Sequence, residues 1–315
     1  MADHNEPQWE RKVLEKVALE AIAEQRRGRR WGIFFKLLGF AYLAVLLLLA
    51  VGDWAPSDKL SEGQKHTALI NLNGVIQSKG DASAENIINA LQAAFKDKNT
   101  AGIILRINSP GGSPVQSGIV NDEIRRLRAA HADIPLHVVV EDVCASGGYY
   151  IAVAADKIFV DKASIVGSIG VLMDGFGFTG TMEKLGVERR LLTAGENKGF
   201  LDPFSPQNAQ HLDYAHKMLS EIHSQFIAVV KQGRGKRLKE SPEMFSGLMW
   251  SGAKSIELGL ADGYGTVESV ARDVIKAGEV RDFTVKHNFA ERFVKQFGAD
   301  MGESLARALV QPSLR

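Results

Sequence analysis

The sequence predicts an α/β protein: a parallel sheet flanked by helices, preceded by one transmembrane helix. Three observations carry that expectation. From His66 onward, short apolar runs alternate with segments whose apolar residues recur at helical spacing. The short runs are apolar throughout rather than at every second position, as strands covered on both faces are. Nearer the start, Trp31 to Val51 forms a stretch of about 20 residues, enough to cross a bilayer core of roughly 30 Å. The expected organisation is a cytoplasmic amphipathic segment at 1–30, a signal anchor at 31–52, a folded domain at 56–285 and a helical tail at 286–315.

Within the anchor no residue from Leu37 to Val51 is charged. Lys36 lies near one end, where its long side chain can snorkel to the headgroups. Trp31 and Trp54 flank the run, as interface-seeking aromatics do. Arg26, Arg27, Arg29 and Arg30 crowd its N-terminal side, whereas Asp53, Asp58 and Glu62 follow it. The positive-inside rule then places residues 1–30 in the cytoplasm and the chain after about residue 52 outside it. That describes a single-pass protein of the inner (cytoplasmic) membrane with its domain on the periplasmic side. Ala50-Val51-Gly52 resembles a signal-peptidase site, but the charged region ahead of it is long for a cleaved signal peptide. Trp9, Val13, Val17 and Ala21 recur every fourth residue and predict an amphipathic helix before the anchor.

The domain then unfolds in order. Strands are expected at 68–72, 102–107, 136–140 and 157–160, with helices at 83–96, 114–130 and from Ser146 through Ala154. Ile87, Ile88, Leu91 and Phe95 give the first helix its apolar face. Residues 207–232 read as one long helix, with Leu212, Ala215, Leu219, Ile222, Phe226 and Val229 on one side. A short helix near 253–259 and a strand near 264–268 close the domain. In the tail, Phe289, Phe293, Phe297, Met301, Leu305 and Leu309 form a stripe seeking an apolar surface.

Composition narrows the function. The chain is 45% hydrophobic and 24% charged with a formal net charge of +1, so no basic field points to nucleic acid. Its one cysteine, Cys144, excludes an intrachain disulfide framework and a multi-cysteine metal site. No His-Glu-x-x-His helix and no Walker spacing occur, and no cofactor is expected.

In open parallel sheets reactive groups gather where strands run out into helix N-termini. Two glycine-rich turns fall at such places: Ser109-Pro110-Gly111-Gly112 and Ala145-Ser146-Gly147-Gly148. Glycine lets backbone amides approach a ligand unobstructed. Ser146 is therefore a candidate nucleophile, with the N–H of Gly147 aimed where an attacked carbonyl oxygen develops charge. A helix-capping role is the competing reading of the same serine.

Asn108-Ser109-Pro110-Gly111-Gly112-Ser113, Cys144-Ala145-Ser146-Gly147-Gly148-Tyr149-Tyr150 and Val166-Gly167-Ser168-Ile169-Gly170-Val171 resemble the signature blocks of the signal peptide peptidase A family. The resemblance runs over about residues 66–270. It includes Trp250-Ser251-Gly252-Ala253-Lys254 and Gly259-Leu260-Ala261-Asp262. These are serine–lysine peptidases on the fold shared by Clp proteases and crotonases. The resemblance implies a general base at Lys198, in Asn197-Lys198-Gly199 ahead of Asp202-Pro203-Phe204. It implies that Ser168 bonds the lysine amine and that Gly112 adds a second oxyanion donor to Gly147. It also implies peptide substrates, such as signal-peptide remnants cut within their apolar segments, and a ring-like homo-oligomer; sequence spacing leaves open whether Ser146 and Lys198 meet within one chain or across adjacent subunits. A lysine titrates near 10.4 in water, so a lysine base has to be desolvated to act at neutral pH.

Rival chemistry is present in the sequence. His211, His216 and His223 follow Ser146 and could complete a Ser–His–Asp triad, but they fall on the long predicted helix among charged neighbours. Cys144 could act as a thiol nucleophile, although a small buried residue suits a strand end. Ser109 precedes a proline and is expected to shape its turn. At the level of the whole protein the rivals are a catalytically silent peptide-binding scaffold and a crotonase-type acyl-CoA enzyme. No charged residue near the glycine turns suggests a specificity anchor, which favours an apolar groove that pairs with extended peptides.

Overall fold

The computed structural model describes residues 7–51 and 63–285, with side chains from 11–45 in the first of these stretches. The chain divides into two compact units, Met1–Leu60 with His287–Arg315, and Ser61–Lys286. The stripe expected at 286–315 lies outside the described residues.

The first unit contributes one helix, α1 (Pro7–Val51). It joins the expected amphipathic segment and the expected anchor without a break. Trp31, Phe34, Phe35, Leu37, Leu38, Phe40, Tyr42 and Leu43 along it are all exposed. Among the described residues no helix is long and apolar enough to cross a membrane, so the transmembrane helix expected at 31–52 is not confirmed. The most apolar part of that segment, residues 46–51, has its side chains outside those described.

The second unit is built on an eight-stranded sheet. Its elements are β1 (His66–Asn73), α2 (Ala84–Lys96), β2 (Thr100–Ser109), α3 (Pro114–Ala130), β3 (Leu136–Ala145), α4 (Gly147–Ala152), β4 (Lys157–Val160), β5 (Ile165–Gly167), α5 (Thr179–Lys184), α6 (Ala209–Arg234), β6 (Met249–Ser251), α7 (Gly252–Glu257), β7 (Gly263–Tyr264), α8 (Val267–Ser269) and β8 (Val280–Asp282). Strands run in the order β6-β5-β3-β2-β1-β8, and β4 pairs with β3 and β7. Every pairing is parallel except β5 with β6.

The uniformly apolar strands have the physical meaning expected of them. Ile70, Leu72, Leu105, Ile107, Val138 and Val140 pack on one face of the sheet with α2, α3 and α4. Ile104 and Val139 pack on the other with Phe159, Val267, Val270 and Ala271. Helix starts follow local chemistry. Ser83 caps α2, and Ser113 caps α3 with Pro114 in the first turn, where the missing N–H costs nothing.

Two expectations need correction. The closing strand expected at 264–268 is only Gly263–Tyr264, because Thr266 caps a helical turn that continues as a π-helix to Ile275. The strand expected at 136–140 runs on to Ala145. It switches partners on the way: His137–Val139 pair with β4, and Val143–Ala145 pair with β5. That fork carries the end of β3 away from β4 and sets its last residues beside β5.

Candidate active site

The fork delivers Ser146. Cys144 pairs with Ser109 on one side and Val166 on the other, and Ala145 pairs with Gly167, so three strand ends lie side by side. The Ser146 N–H donates to Gly167 O at 2.8 Å, and Tyr150 N–H closes α4 by donating to Ser146 O at 2.9 Å. Between those bonds Ser146 is held at φ 51°, ψ −121°, a region that non-glycine residues rarely enter. Its side chain makes no cap hydrogen bond. The capping reading of this serine therefore fails, and its Oγ is left unbonded among the described residues.

The first glycine turn closes over the same point. Ser109 Oγ donates to Gly74 O at 2.7 Å and accepts from Gly111 N–H at 3.1 Å, so this serine shapes its turn, as expected. Ile76 clamps the turn from outside: its N–H donates to Gly111 O, and its carbonyl accepts from Ser113 N–H. Gly111 and Gly112 stand at φ 101° and 146°. A Cβ on Gly111 would lie 2.7 Å from both Gly147 N and Ser146 Cβ, and a Cβ on Gly112 would collide with Ile76 O. Only glycine allows the two turns this close. A Cβ on Gly147 would lie 3.3 Å from Gly112 N and would run into Ser117 Oγ. The N–H groups of Gly112 and Gly147 donate to nothing among the described residues, and the Cβ contacts set the two glycine turns against each other at Ser146.

Ser168 stands next to this pair. It follows Gly167, the residue that accepts from Ser146 N–H, and like Ser146 it stands at positive φ, 52°. Its N–H donates to Leu248 O at 2.8 Å, which ties it to the strand leading into β6. Lys198 is not joined to these serines. It sits in a turn after Gly195, to whose carbonyl its N–H donates, and its exposed side chain makes no hydrogen bond or ion pair among the described residues. Two residues on, Phe200 packs its ring on His211 and Tyr214 of α6 at 5.3 and 5.8 Å.

The segment carrying Lys198 is organised from within. Phe178 stacks on Phe204 at 5.4 Å, and Arg189 reaches both Asp202 and the Phe204 ring. A cavity of about 710 Å³ opens between this segment and α6, walled by Met173, Phe176, Leu191, Leu201, Leu212 and Leu219. Apolar side chains of the segment are left uncovered: Leu192 is 96% exposed and Phe176 80%.

The rival nucleophile and triad lose ground. Cys144 is fully buried, and burial pushes its thiol far above the ordinary range, so it stays protonated. Of the three histidines, His211 packs on Phe200 and His223 bonds the carbonyl of Ile169, while none bonds Ser146. Sequence reasoning missed Ile76, Ser117 and Leu248, and it considered His223 only as a triad base. Ile76 follows the readable Asn73-Gly74 turn, but nothing near Leu248 marks it in advance.

A parallel α/β sheet that presents an unbonded serine at a strained strand-to-helix turn beside two free amides defines the class of proteins that attack carbonyl groups with a serine. Comparison with known proteins makes the class specific: the model of peptidase family S49 matches residues 128–281, and the chain belongs to that family. It is 44% identical over 209 residues to a Brucella melitensis protein named Na(+)/H(+) antiporter NhaA, covering 65% of this chain and 28% of that protein. It is 28% identical over 218 residues to the serine protease SPPA, chloroplastic, of Arabidopsis thaliana, covering 65% and 31%. It is 27% identical over 227 residues to protease 4 of Haemophilus influenzae, covering 71% and 36%. The chain thus spans about a third or less of the length of these relatives.

Proposed function

We propose that this protein is a membrane-anchored serine endopeptidase, with Ser146 as nucleophile and Lys198 as general base. The observation that carries the reading is the unbonded Ser146 hydroxyl at a positive-φ turn between the free N–H groups of Gly112 and Gly147. Membership of a peptidase family supports it.

In the proposed reaction the neutral amine of Lys198 takes the proton of Ser146, and Oγ attacks the substrate carbonyl carbon. The carbonyl oxygen becomes an oxyanion that accepts from the two glycine amides. The Lys198 ammonium then gives its proton to the departing amine, leaving an acyl-enzyme at Ser146. Water, deprotonated by Lys198, releases the acid. Ser168 lies beside Ser146 and would hold the amine in line.

Because Lys198 is exposed and unbonded in the single chain, the reading needs cover over that amine. A second copy of the chain, seated on the uncovered apolar side of residues 172–192, would supply it and would let a homo-oligomeric ring share each site between subunits. Anchoring at residues 31–52, with the domain outside the cytoplasm, would place such sites where apolar peptide segments accumulate. Signal-peptide remnants are the substrates that fit. The test is mass spectrometry of products from a library of apolar peptides. Cuts that appear with the unaltered protein and vanish in Ser146→Ala support the proposal; the same cuts persisting in Ser146→Ala defeat it.

A further inference from the structure

Helix α6 reaches the site at both of its serines. Three residues apart on one face, His223 and Phe226 point to different parts of it. Phe226 is buried and packs on the ring of Tyr150, 5.1 Å away, in the helix that Ser146 begins. His223 Nε2 lies 3.1 Å from Ile169 O, the carbonyl directly after Ser168. A turn farther on, the fully buried Val230 seats the same face in the core.

We propose that His223 is a positioning residue for the catalytic site: it fixes the Ser168 turn against the Ser146 elbow through the Ile169 carbonyl. A carbonyl oxygen only accepts, so the ring carries its proton on Nε2 and donates. The turn needs such a partner. Ser168 stands at φ 52°, and a residue in that region stays there only when its surroundings hold it. Leu248 O restrains it on one side through Ser168 N–H, and Gly170 N–H closes back on Ser168 O. Those bonds fix the start and the curl of the turn, and His223 fixes its exit. Since Phe226 ties the same helix to Tyr150, the histidine references Ser168 to the helix that Ser146 heads. His223 lies on the helix expected for it, where it is half-buried and bonded.

This inference rests on the peptidase reading, and the test separates the two. kcat and KM for a cleaved apolar peptide are measured on the full chain and on its His223→Ala, His223→Gln and Ser146→Ala variants, together with melting temperatures. His223→Ala is expected to lower kcat roughly 10- to 100-fold, as small misplacements of catalytic groups do. KM should stay within about twofold, because a positioning defect acts on the chemical step. Gln carries an amide N–H that can reach the same carbonyl, and it is expected to restore most of the rate. An unchanged kcat in His223→Ala overturns the inference. So does a loss that Gln fails to recover, or one that follows the melting temperature across both variants. Turnover that survives Ser146→Ala fails the peptidase reading itself and removes the reaction His223 would serve.

Discussion

Ser146 and Ser168 both stand at positive φ, which costs on the order of 1–3 kcal/mol per residue, and both are held there by hydrogen bonds to neighbouring strand ends. Strain of this kind persists where it aims a side chain, and here it keeps the Ser146 hydroxyl out of its own helix cap. Gly112→Ala should therefore be severe: its Cβ would collide with Ile76 O and turn the amide away. The expected result is a kcat reduced by about 10²–10³-fold, the usual cost of one oxyanion donor, with circular dichroism unchanged. A different residue should control acid stability. Burial, helped by Lys157 and Arg128, lowers His137 to about 4, and its Nδ1 has no partner. Between pH 6.5 and 4 the unfolded chain binds a proton there that the folded chain refuses, so stability falls as pH drops through that window. The loss is on the order of 2–3 kcal/mol. Urea titrations across the window should show a shallower decline in His137→Leu. Among the site residues, Ser146 and the glycines were legible because their turns follow apolar runs. Lys198 and Ser168 enter as candidates only through the resemblance, since a loop lysine and a strand-end serine carry no pattern of their own.

At the scale of elements, the fork of β3 is the device that builds the site. Pairing with β4 sets the strand in the core, and pairing with β5 brings Ser146 beside Ser168. The sequence announces the first half through Leu136–Val140 and conceals the second, where the exposed Glu141 and Asp142 interrupt the apolar run. Helix α3 and strand β4 were legible to the residue, the first from its Ser-Pro start and the second from its compact apolar run. The three-residue strands β5, β6 and β8 were not, because so few residues hold no period. Helix α6 is the beam of the domain. At its end the fully buried Arg234 forks onto Asp262 at 2.8 and 2.9 Å, and Asp262 also accepts from Ile158 N–H. Arg234→Met leaves that carboxylate with the Ile158 N–H and the edge contact from Arg237 in place of a buried ion pair. Chemical denaturation should report a loss of about 3–5 kcal/mol, the cost of breaking a buried pair by removing one partner.

For the whole molecule, the deciding feature is an apolar segment with nothing over it, carrying a lysine that the single chain leaves in water. A soluble monomer gains nothing from an uncovered patch of this kind, whereas an assembly buries it. Mixing Ser146→Ala chains with Lys198→Ala chains should then restore part of the activity that each lacks alone, because some junctions would combine an intact serine with an intact lysine. Activity at baseline for every ratio would confine the pair to one chain. The measurement that reaches the central claim most directly is covalent labelling by a serine-reactive phosphonate probe, read by peptide mass spectrometry on the full chain. The account predicts an adduct on Ser146 that disappears in Lys198→Ala. An adduct on Ser146 that forms as fast without Lys198, or labelling that bypasses Ser146 altogether, would contradict it.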